Sequence, residues 1–234
     1  MLNDFSDTTV VIPTYNESNT IGKLVDALLS QYPKISIVVS DDGSVDGTAE
    51  MVRSRHHRNV MFIDRHSLGR KRGLTGSVID GIFASKKKYV VVMDGDFQHP
   101  PEAVRSIVSR LRKVDTHIVV AVRKKVGRWS LHRKIISKSL MLACDLSLIL
   151  RRSARCSDIF SGYFGCDRRW IINLMSRNRS RYVSEGYKVL YDTLKCMHND
   201  EKIGEVGYRF GIRKGGASKA GAAHVLALAK SVFS

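Results

Sequence analysis

Short apolar runs alternate with segments of helical periodicity, and this alternation leaves the chain few possible folds. The runs are rich in Val and Ile, as strands are, and they lie at residues 9–12, 35–39, 60–63 and 89–93. Between them, apolar residues recur every three or four positions, which predicts helices over residues 16–30, 48–55 and 73–84. Strands joined by helices form mostly parallel sheets. We therefore predict an α/β fold, with a Rossmann-like sheet flanked by helices.

Composition is consistent with a single domain, and we expect no segment of it to span a membrane. The chain has 234 residues, 43% of them hydrophobic, which is enough for a single core. The longest apolar-rich stretch, Leu140 to Leu150, is interrupted by Asp145 and is too short to cross a bilayer. The four cysteines include no Cys-x-x-Cys pair, so we expect reduced thiols in a protein of the cytoplasmic side and no zinc site.

Polar clusters follow three of the predicted strands. They are Tyr15-Asn16-Glu17, Asp41-Asp42 and Asp94-Gly95-Asp96. Ligands of parallel sheets bind beyond the carboxyl ends of the strands. The sequence therefore predicts a binding site made from these three loops.

The cluster after the fourth strand has the chemistry of a metal site. Asp94 and Asp96 are separated by one glycine, so in extended chain their carboxylates point to the same side. Two like charges this close repel each other, and a bound Mg²⁺ or Mn²⁺ relieves that repulsion. Gln98 offers a further oxygen ligand. We expect the neighbouring His99 to be structural.

Charge indicates anionic partners. Lys and Arg total 39 against 22 acidic residues, a formal net charge of +17. Residues 116–144 contain no Asp or Glu, and apolar residues from Trp129 to Leu142 lie among their basic ones. This pattern fits an amphipathic helix on an anionic membrane surface. An ordinary helix facing the core is the alternative.

Three segments resemble the family 2 glycosyltransferases of the GT-A fold: Pro13 to Glu17, Asp41 to Thr48, and Asp94 to Glu102. The last, Asp-Gly-Asp-Phe-Gln-His-Pro-Pro-Glu, is far more specific than an isolated Asp-x-Asp, and it is similar to the dolichyl-phosphate mannose synthases within that family. Weaker matches continue through Asp158 and Ser161-Gly162-Tyr163, so the resemblance covers residues 9–220.

The resemblance implies a single GT-A domain over residues 1–220, with peripheral amphipathic helices. Residues 9–102 would be its nucleotide-sugar-binding half and residues 103–220 its acceptor half, while 221–234 would be a helical tail. The implied reaction transfers mannose from GDP-mannose to dolichyl or polyprenyl phosphate, with Mg²⁺ or Mn²⁺ and with inversion at the anomeric carbon. The protein would be peripherally associated with a membrane.

The resemblance also assigns roles to residues. The metal would be held by Asp94, Asp96 and Gln98. The acceptor phosphate would meet Arg123, Arg133 and Ser137. The residues implied in catalysis are Asp96, Arg123, Lys188 and Arg213. Those implied to bind the nucleotide sugar are Pro13, Tyr15, Glu17, Val39, Asp41, Asp94, Gly95, Asp96, Gln98, Arg123, Lys188, Arg213 and Lys219.

Three other functions are left open at this point. A polyprenyl-phosphate glucosyltransferase, or another family 2 enzyme that uses a UDP-sugar, would have nearly the same motifs. A processive enzyme would carry Gln-x-x-Arg-Trp, whereas Cys166 to Trp170 has the Arg-Trp without the Gln. A basic nucleic-acid-binding protein would fit the charge, but no zinc-finger spacing or aromatic-basic RNA motif is present, so we expect no nucleic acid partner.

Overall fold

The computed structural model describes residues 4–113, 115–124, 131–211 and 231–232, with the backbone alone over 131–140. Seven strands form one sheet: β1 (Thr8–Thr14), β2 (Ser36–Asp41), β3 (Val60–Asp64), β4 (Tyr89–Val92), β5 (Ile118–Arg123), β6 (Phe164–Asp167) and β7 (Ile203–Tyr208). The helices are α1 (Ser18–Gln31), α2 (Thr48–Arg53), α3 (Leu74–Ala84), α4 (Ala103–Lys113), α5 (Leu131–Leu150), α6 (Arg168–Arg177) and α7 (Val189–Cys196), with a 3₁₀ turn at Arg179–Arg181.

The strand order is β3-β2-β1-β4-β6-β5-β7. The pairs β1–β2, β2–β3, β1–β4 and β5–β7 are parallel, and only β6 runs antiparallel to its neighbours β4 and β5. The predicted α/β fold with a mostly parallel sheet is confirmed.

The predicted end of the first strand is wrong. The first apolar run covers residues 9–12 and is followed by Pro13, so the strand was expected to end there, but β1 continues through Pro13 to Thr14. Pairing between β1 and β4 ends at Val11 and Val92, so Pro13 pairs only with Ser40 of β2. Proline has no N–H, so it is tolerated in a strand where no neighbouring strand requires that donor. At Pro13 the pairing with β4 has already ended, so the missing N–H breaks no pairing with that strand.

Helices cover both faces of the sheet. On one face, Ile21 and Leu24 of α1 and Ile107 of α4 are buried in the same cluster as Val10 and Val91 of the sheet. On the other face, α3, α6 and α7 bury their apolar residues against the alternate strand residues, including Val11, Val90 and Val92. Both faces of these parallel strands are therefore apolar, as doubly covered sheets require.

Helix α5 keeps apolar side chains in solvent. Cys144 and Leu148 pack into the core, while other large side chains of its described half are 42–76% exposed: Met141, Leu142, Leu146, Ile149 and Leu150. Of the helices in the described ranges, none has the length and apolar character needed to cross a membrane. All four cysteines are free thiols, as expected.

Candidate active site

The carboxyl ends of β1, β2 and β4 lie side by side, and the three polar clusters meet there. The N–H of Asn16 donates to Ser44 Oγ at 2.7 Å, and the N–H of Glu17 donates to Thr48 Oγ1 at 2.9 Å. A Cβ at Gly95 would lie 3.7 Å from Glu17 Cγ, so the loop after β4 packs against the loop after β1. The structure thus joins the clusters into one site.

Asp41 shapes the loop after β2. Its Oδ1 accepts hydrogen bonds from Thr14 Oγ1 at 2.8 Å and Ser44 Oγ at 2.6 Å. Its Oδ2 accepts from the N–H groups of Gly43 at 3.0 Å and Ser44 at 2.7 Å. The side chain is buried, and these four bonds hold the turn in place. Its contact with a nucleoside stays a prediction.

Asp94 is held by the imidazole of His99. The N–H of Asp94 donates to His99 Nδ1 at 2.9 Å, and His99 Nε2 lies 3.7 Å from Asp94 Oδ2. Burial lowers the pKa of His99 to about 3, so the ring is neutral. Because Nδ1 accepts, the proton is on Nε2 and faces the carboxylate. His99 therefore orients Asp94, which agrees with the structural role expected for it.

The rest of this loop is fixed in an unusual backbone conformation. Phe97 has φ of +63°, in the left-handed region. Asp96 is 3% exposed, and its Oδ1 accepts from the N–H of Gln98 at 2.9 Å. The Gln98 side-chain nitrogen lies 3.4 Å from the carbonyl oxygen of Gly211, whose own N–H donates to the carbonyl of Gln98 at 2.9 Å. The loop is therefore tied to the segment that precedes Arg213.

The two aspartates fit Mg²⁺ or Mn²⁺ better than a metal that needs a complete protein cage. Within the described ranges, no three His, Cys, Asp or Glu side chains gather at one point. Mg²⁺ commonly binds one or two carboxylates and completes its shell with substrate phosphates and water. The side chain of Asp94 is 36% exposed, so it can be reached by such a substrate. Asp94, Asp96 and the amide oxygen of Gln98 are the candidate ligands.

Two cations lie close enough to Asp94 to interact with its charge. Arg123, at the end of β5, forms a two-pronged ion pair with Asp158, since its Nε and one terminal nitrogen lie 2.6 Å from the two carboxylate oxygens. Burial opposes the charge on Arg123, but these hydrogen bonds outweigh it and raise its pKa. The Nζ of Lys188 lies 3.4 Å from the carbonyl oxygen of Phe160. Its charge interacts with those of Arg123 and Asp94, so the four charged groups form one cluster.

The charge state of Lys188 should make kcat/KM depend on pH. Burial, and then the positive charge of Arg123, lower the pKa of Lys188 to about 8. Below that pH the amine is charged and can bind an anionic substrate, and above it the charge is lost. We expect kcat/KM to fall as pH rises through about 8, because kcat/KM reports the free enzyme. In Lys188→Arg the fall should move to higher pH, and a fall at an unchanged pH would assign it to another group.

Some predicted residues lie elsewhere or outside the described residues. Pro13 and Val39 are buried within the sheet, so their predicted contact with the nucleoside would involve little exposed side-chain surface. Arg213 and Lys219 lie outside the described residues, as do the side chains of Arg133 and Ser137 on α5. Their roles stay predictions.

Sequence reasoning missed a buried arginine that joins the loop after β2 to α3. Arg65 pairs with Asp42, and its Nε donates to Asp80 of α3 at 2.8 Å. Asp42 also accepts from the N–H of Gly73 at 3.0 Å, just before α3 begins. Nothing local marks Arg65 as different from the basic residues that follow it, so only the fold reveals this network.

A second missed residue is Arg72, whose guanidinium carbon lies 4.1 Å from the centroid of the Tyr15 ring. Arg72 belongs to an exposed loop with Arg70 and Lys71. A guanidinium over an aromatic face is attracted to it and still presents donors to other groups. Arg72 is therefore in position to meet a ligand that Tyr15 binds.

We expect Arg72→Ala to raise the KM for the nucleotide sugar that the resemblance implies about fivefold, which corresponds to the ~1 kcal/mol of one hydrogen bond from Arg72 to that ligand. The value of kcat should change little, because Arg72 is not among the charges around Asp94. Steady-state kinetics against Arg70→Ala, a change of the same charge in the same loop, would check this. Equal effects of the two substitutions would show that Arg72 contributes only its positive charge, as Arg70 does, and makes no specific contact with the ligand.

The sequence comparisons agree on one family. The model of glycosyl transferase family 2 matches residues 9–201. The dolichol-phosphate mannosyltransferase of Saccharomyces cerevisiae is 31% identical over 227 residues, covering 90% of this chain and 79% of that protein. The undecaprenyl-phosphate 4-deoxy-4-formamido-L-arabinose transferase of Pectobacterium atrosepticum is 27% identical over 225 residues, covering 90% of this chain and 65% of that protein.

Solved structures share the architecture. Glucosyl-3-phosphoglycerate synthase from Mycobacterium tuberculosis, in complex with Mn²⁺, UDP-glucose and phosphoglyceric acid, matches with a TM-score of 0.67 and 19% identity, over 97% of this chain and 79% of that one. Mannosyl-3-phosphoglycerate synthase from Rubrobacter xylanophilus matches with a TM-score of 0.59 and 18% identity, over 97% and 70%. At such identities the likeness shows the fold alone, and it confirms the GT-A fold.

Proposed function

We propose that this chain, which belongs to glycosyl transferase family 2, transfers mannose from GDP-mannose to dolichyl or polyprenyl phosphate. That it is a glycosyltransferase follows from the family. The named relatives support the lipid acceptor, since their names place dolichol phosphate or undecaprenyl phosphate in their reactions. The Pyrococcus furiosus dolichol-phosphate mannosyltransferase, 30% identical over 216 residues, is a third such relative, although this chain spans only 58% of its length.

The observation that carries the proposal is the cluster of Arg123 and Lys188 with Asp94. A sugar hydroxyl must lose a proton to attack, so an enzyme acting on it needs a general base. A lipid phosphate is already anionic near neutral pH and needs cations to bring it toward a charged donor. His99 is neutral but its ring nitrogens face Asp94, so it is poorly placed to act as a base. The cluster supplies the two cations.

The site divides the work between carboxylates and cations. When bound, Mg²⁺ or Mn²⁺ would offset the negative charge that grows on the departing nucleoside diphosphate. Asp94 and Asp96 would hold it, and His99 would keep Asp94 in orientation. Arg123, fixed by Asp158, would direct a planar pair of donors at a phosphate. The lipid phosphate oxygen would then displace the diphosphate in one step, with inversion at the anomeric carbon.

The exposed apolar face of α5 supports action at a membrane surface. The side chains of Leu142 and Leu150 are 69% and 76% exposed, and α5 follows the basic segment around Arg123. Apolar side chains next to a run of cations favour the interface of an anionic bilayer. We propose peripheral association with the cytoplasmic side, where the acceptor's phosphate would be within reach.

A panel of donors tests the proposal. Purified protein is incubated with GDP-mannose, UDP-glucose or other nucleotide sugars, with Mn²⁺ and a polyprenyl phosphate, and lipid-linked sugar is measured by thin-layer chromatography. The proposal expects product from GDP-mannose in excess of product from every UDP-sugar. Lipid-linked product from a UDP-sugar alone would select the second candidate, a polyprenyl-phosphate glycosyltransferase that uses a UDP-sugar. No lipid-linked product from any donor would reject both.

A further inference from the structure

A cavity of about 390 Å³ lies at the amino-terminal edge of the sheet, lined by Lys86, Lys87, Lys88, Asp167, Arg168 and Arg169. Strand β4 begins just after Lys88 and ends shortly before Asp94, so the cavity and the candidate active site lie at opposite ends of it. Six residues of extended chain, at ~3.3 Å each, separate Lys88 from Asp94 by about 20 Å. This cavity is therefore distinct from the site proposed for the donor.

Strand pairing joins the two backbone segments that carry the cations of the cavity. Tyr89 of β4 pairs with Asp167 of β6, and the N–H of Arg168 donates to the carbonyl of Lys88 at 2.8 Å. The two basic segments cannot move apart without opening the sheet. The backbone positions of the two basic segments are thus set before any ligand arrives, which lowers the entropic cost of binding.

The charges of the cavity are poorly balanced. Five cations surround one carboxylate, and Asp167 is already engaged, because its Oδ1 accepts from the N–H groups of Arg169 at 2.9 Å and Trp170 at 3.0 Å. As far as the structure describes the chain, none of the five forms an ion pair. Like charges fixed this close together favour an anion between them.

Arg168 has a side-chain donor that the described residues leave unpaired. Its Nε is buried and has no hydrogen-bond partner among the described residues. Buried donors are almost always paired, because an unmade hydrogen bond is costly. The planar guanidinium of arginine can also donate two parallel hydrogen bonds to the oxygens of a phosphate or a carboxylate.

We propose that this cavity is a second anion site that binds a phosphate group. A phosphate offers several acceptor oxygens, enough for Arg168 and two or more of the lysines at once. The group could be carried by a phospholipid headgroup or be free in solution, and the chemistry of recognition is the same. The proposal is independent of the sugar transfer, because it uses no residue of the donor site.

Nuclear magnetic resonance of the Arg168 Nε–H during titration with inorganic phosphate is the direct test. We expect the resonance to shift with saturation, and Lys87→Ala to weaken that binding about tenfold, the effect of losing one charge-assisted contact. The matched control is Arg177→Ala, which removes a cation from the exposed end of α6, the helix that begins at Arg168. A resonance that does not respond, or equal weakening by the two substitutions, would overturn the proposal.

Sedimentation with vesicles separates the two sources. If the group is a headgroup, Lys87→Ala should reduce binding to phosphatidylcholine vesicles that contain phosphatidic acid, while Arg177→Ala should not. If it is free phosphate, the phosphate titration responds and vesicle binding is the same for both variants. With detergent-solubilised acceptor, Lys87→Ala should form lipid-linked sugar at the wild-type rate, so a failure here leaves the proposed function untouched.

Discussion

Replacement of Asp96 by Ala is expected to lower turnover at least about a thousandfold, on the order of 4 kcal/mol of barrier. Asp96 is buried in the loop after β4, two residues from the partly exposed Asp94, and the pair is the only carboxylate pair of this spacing at the described site. Without Asp96, the cation would lose a ligand and the departing diphosphate would lose part of its neutralisation. Initial rates of lipid-linked product formation measure the effect.

The substitution Asp96→Asn separates the effect of the Asp96 charge on turnover from its effect on the stability of the fold. The Asp96 Oδ1 accepts a hydrogen bond from the N–H of Gln98 in a loop where Phe97 has a positive φ. An asparagine oxygen can accept the same bond, so the variant should keep its melting temperature and still lose most of its turnover. Asp200→Asn, on the exposed surface, controls for loss of one negative charge. Near-normal turnover by Asp96→Asn would remove the metal role from this residue.

The ion pair of Arg123 and Asp158 carries the second large effect. We expect Arg123→Ala to lower turnover about a thousandfold and Asp158→Asn about a hundredfold, the range found when one preorganised donor is lost. Asp158 acts by orienting the guanidinium through two bonds of 2.6 Å. In the double variant its loss should therefore add almost nothing to that of Arg123→Ala.

The double-mutant cycle distinguishes orientation from independent roles. Residues that act as one unit give effects that do not add. Removal of Arg123 leaves the Asp158 carboxylate buried without its partner, which destabilises the fold, so each variant's melting temperature must be measured beside its turnover. Fully additive losses in turnover would show that Asp158 does not act through Arg123.

The parallel half of the fold could be predicted because its signals are local. Each strand from β1 to β4 contains a short apolar run in which Val and Ile predominate, and the helices between them repeat apolar residues at helical spacing. The antiparallel position of β6 between β4 and β5 could not be predicted, because Phe164–Asp167 pairs with residues far away in the chain. Local pattern carries no information on such pairing.

The same distinction applies to the site. Asp94, Gly95 and Asp96 are adjacent in the chain, so their chemistry is visible in the sequence. The partner of Arg123 is 35 residues away, and the guanidinium that covers Tyr15 belongs to a loop that the resemblance left without a role. The resemblance assigned roles to residues, and these roles stay predictions, whereas the fold showed which of the described residues hold each other in position.

Calorimetric titration of GDP into the protein, with and without Mn²⁺, tests the central claim most directly. The claim is that Asp94 and Asp96 hold a cation that binds the donor's diphosphate. Mn²⁺ should tighten GDP binding at least about tenfold, ~1.4 kcal/mol, in the wild type and not in Asp94→Asn. The same tightening in both proteins, or none in the wild type, would contradict the account.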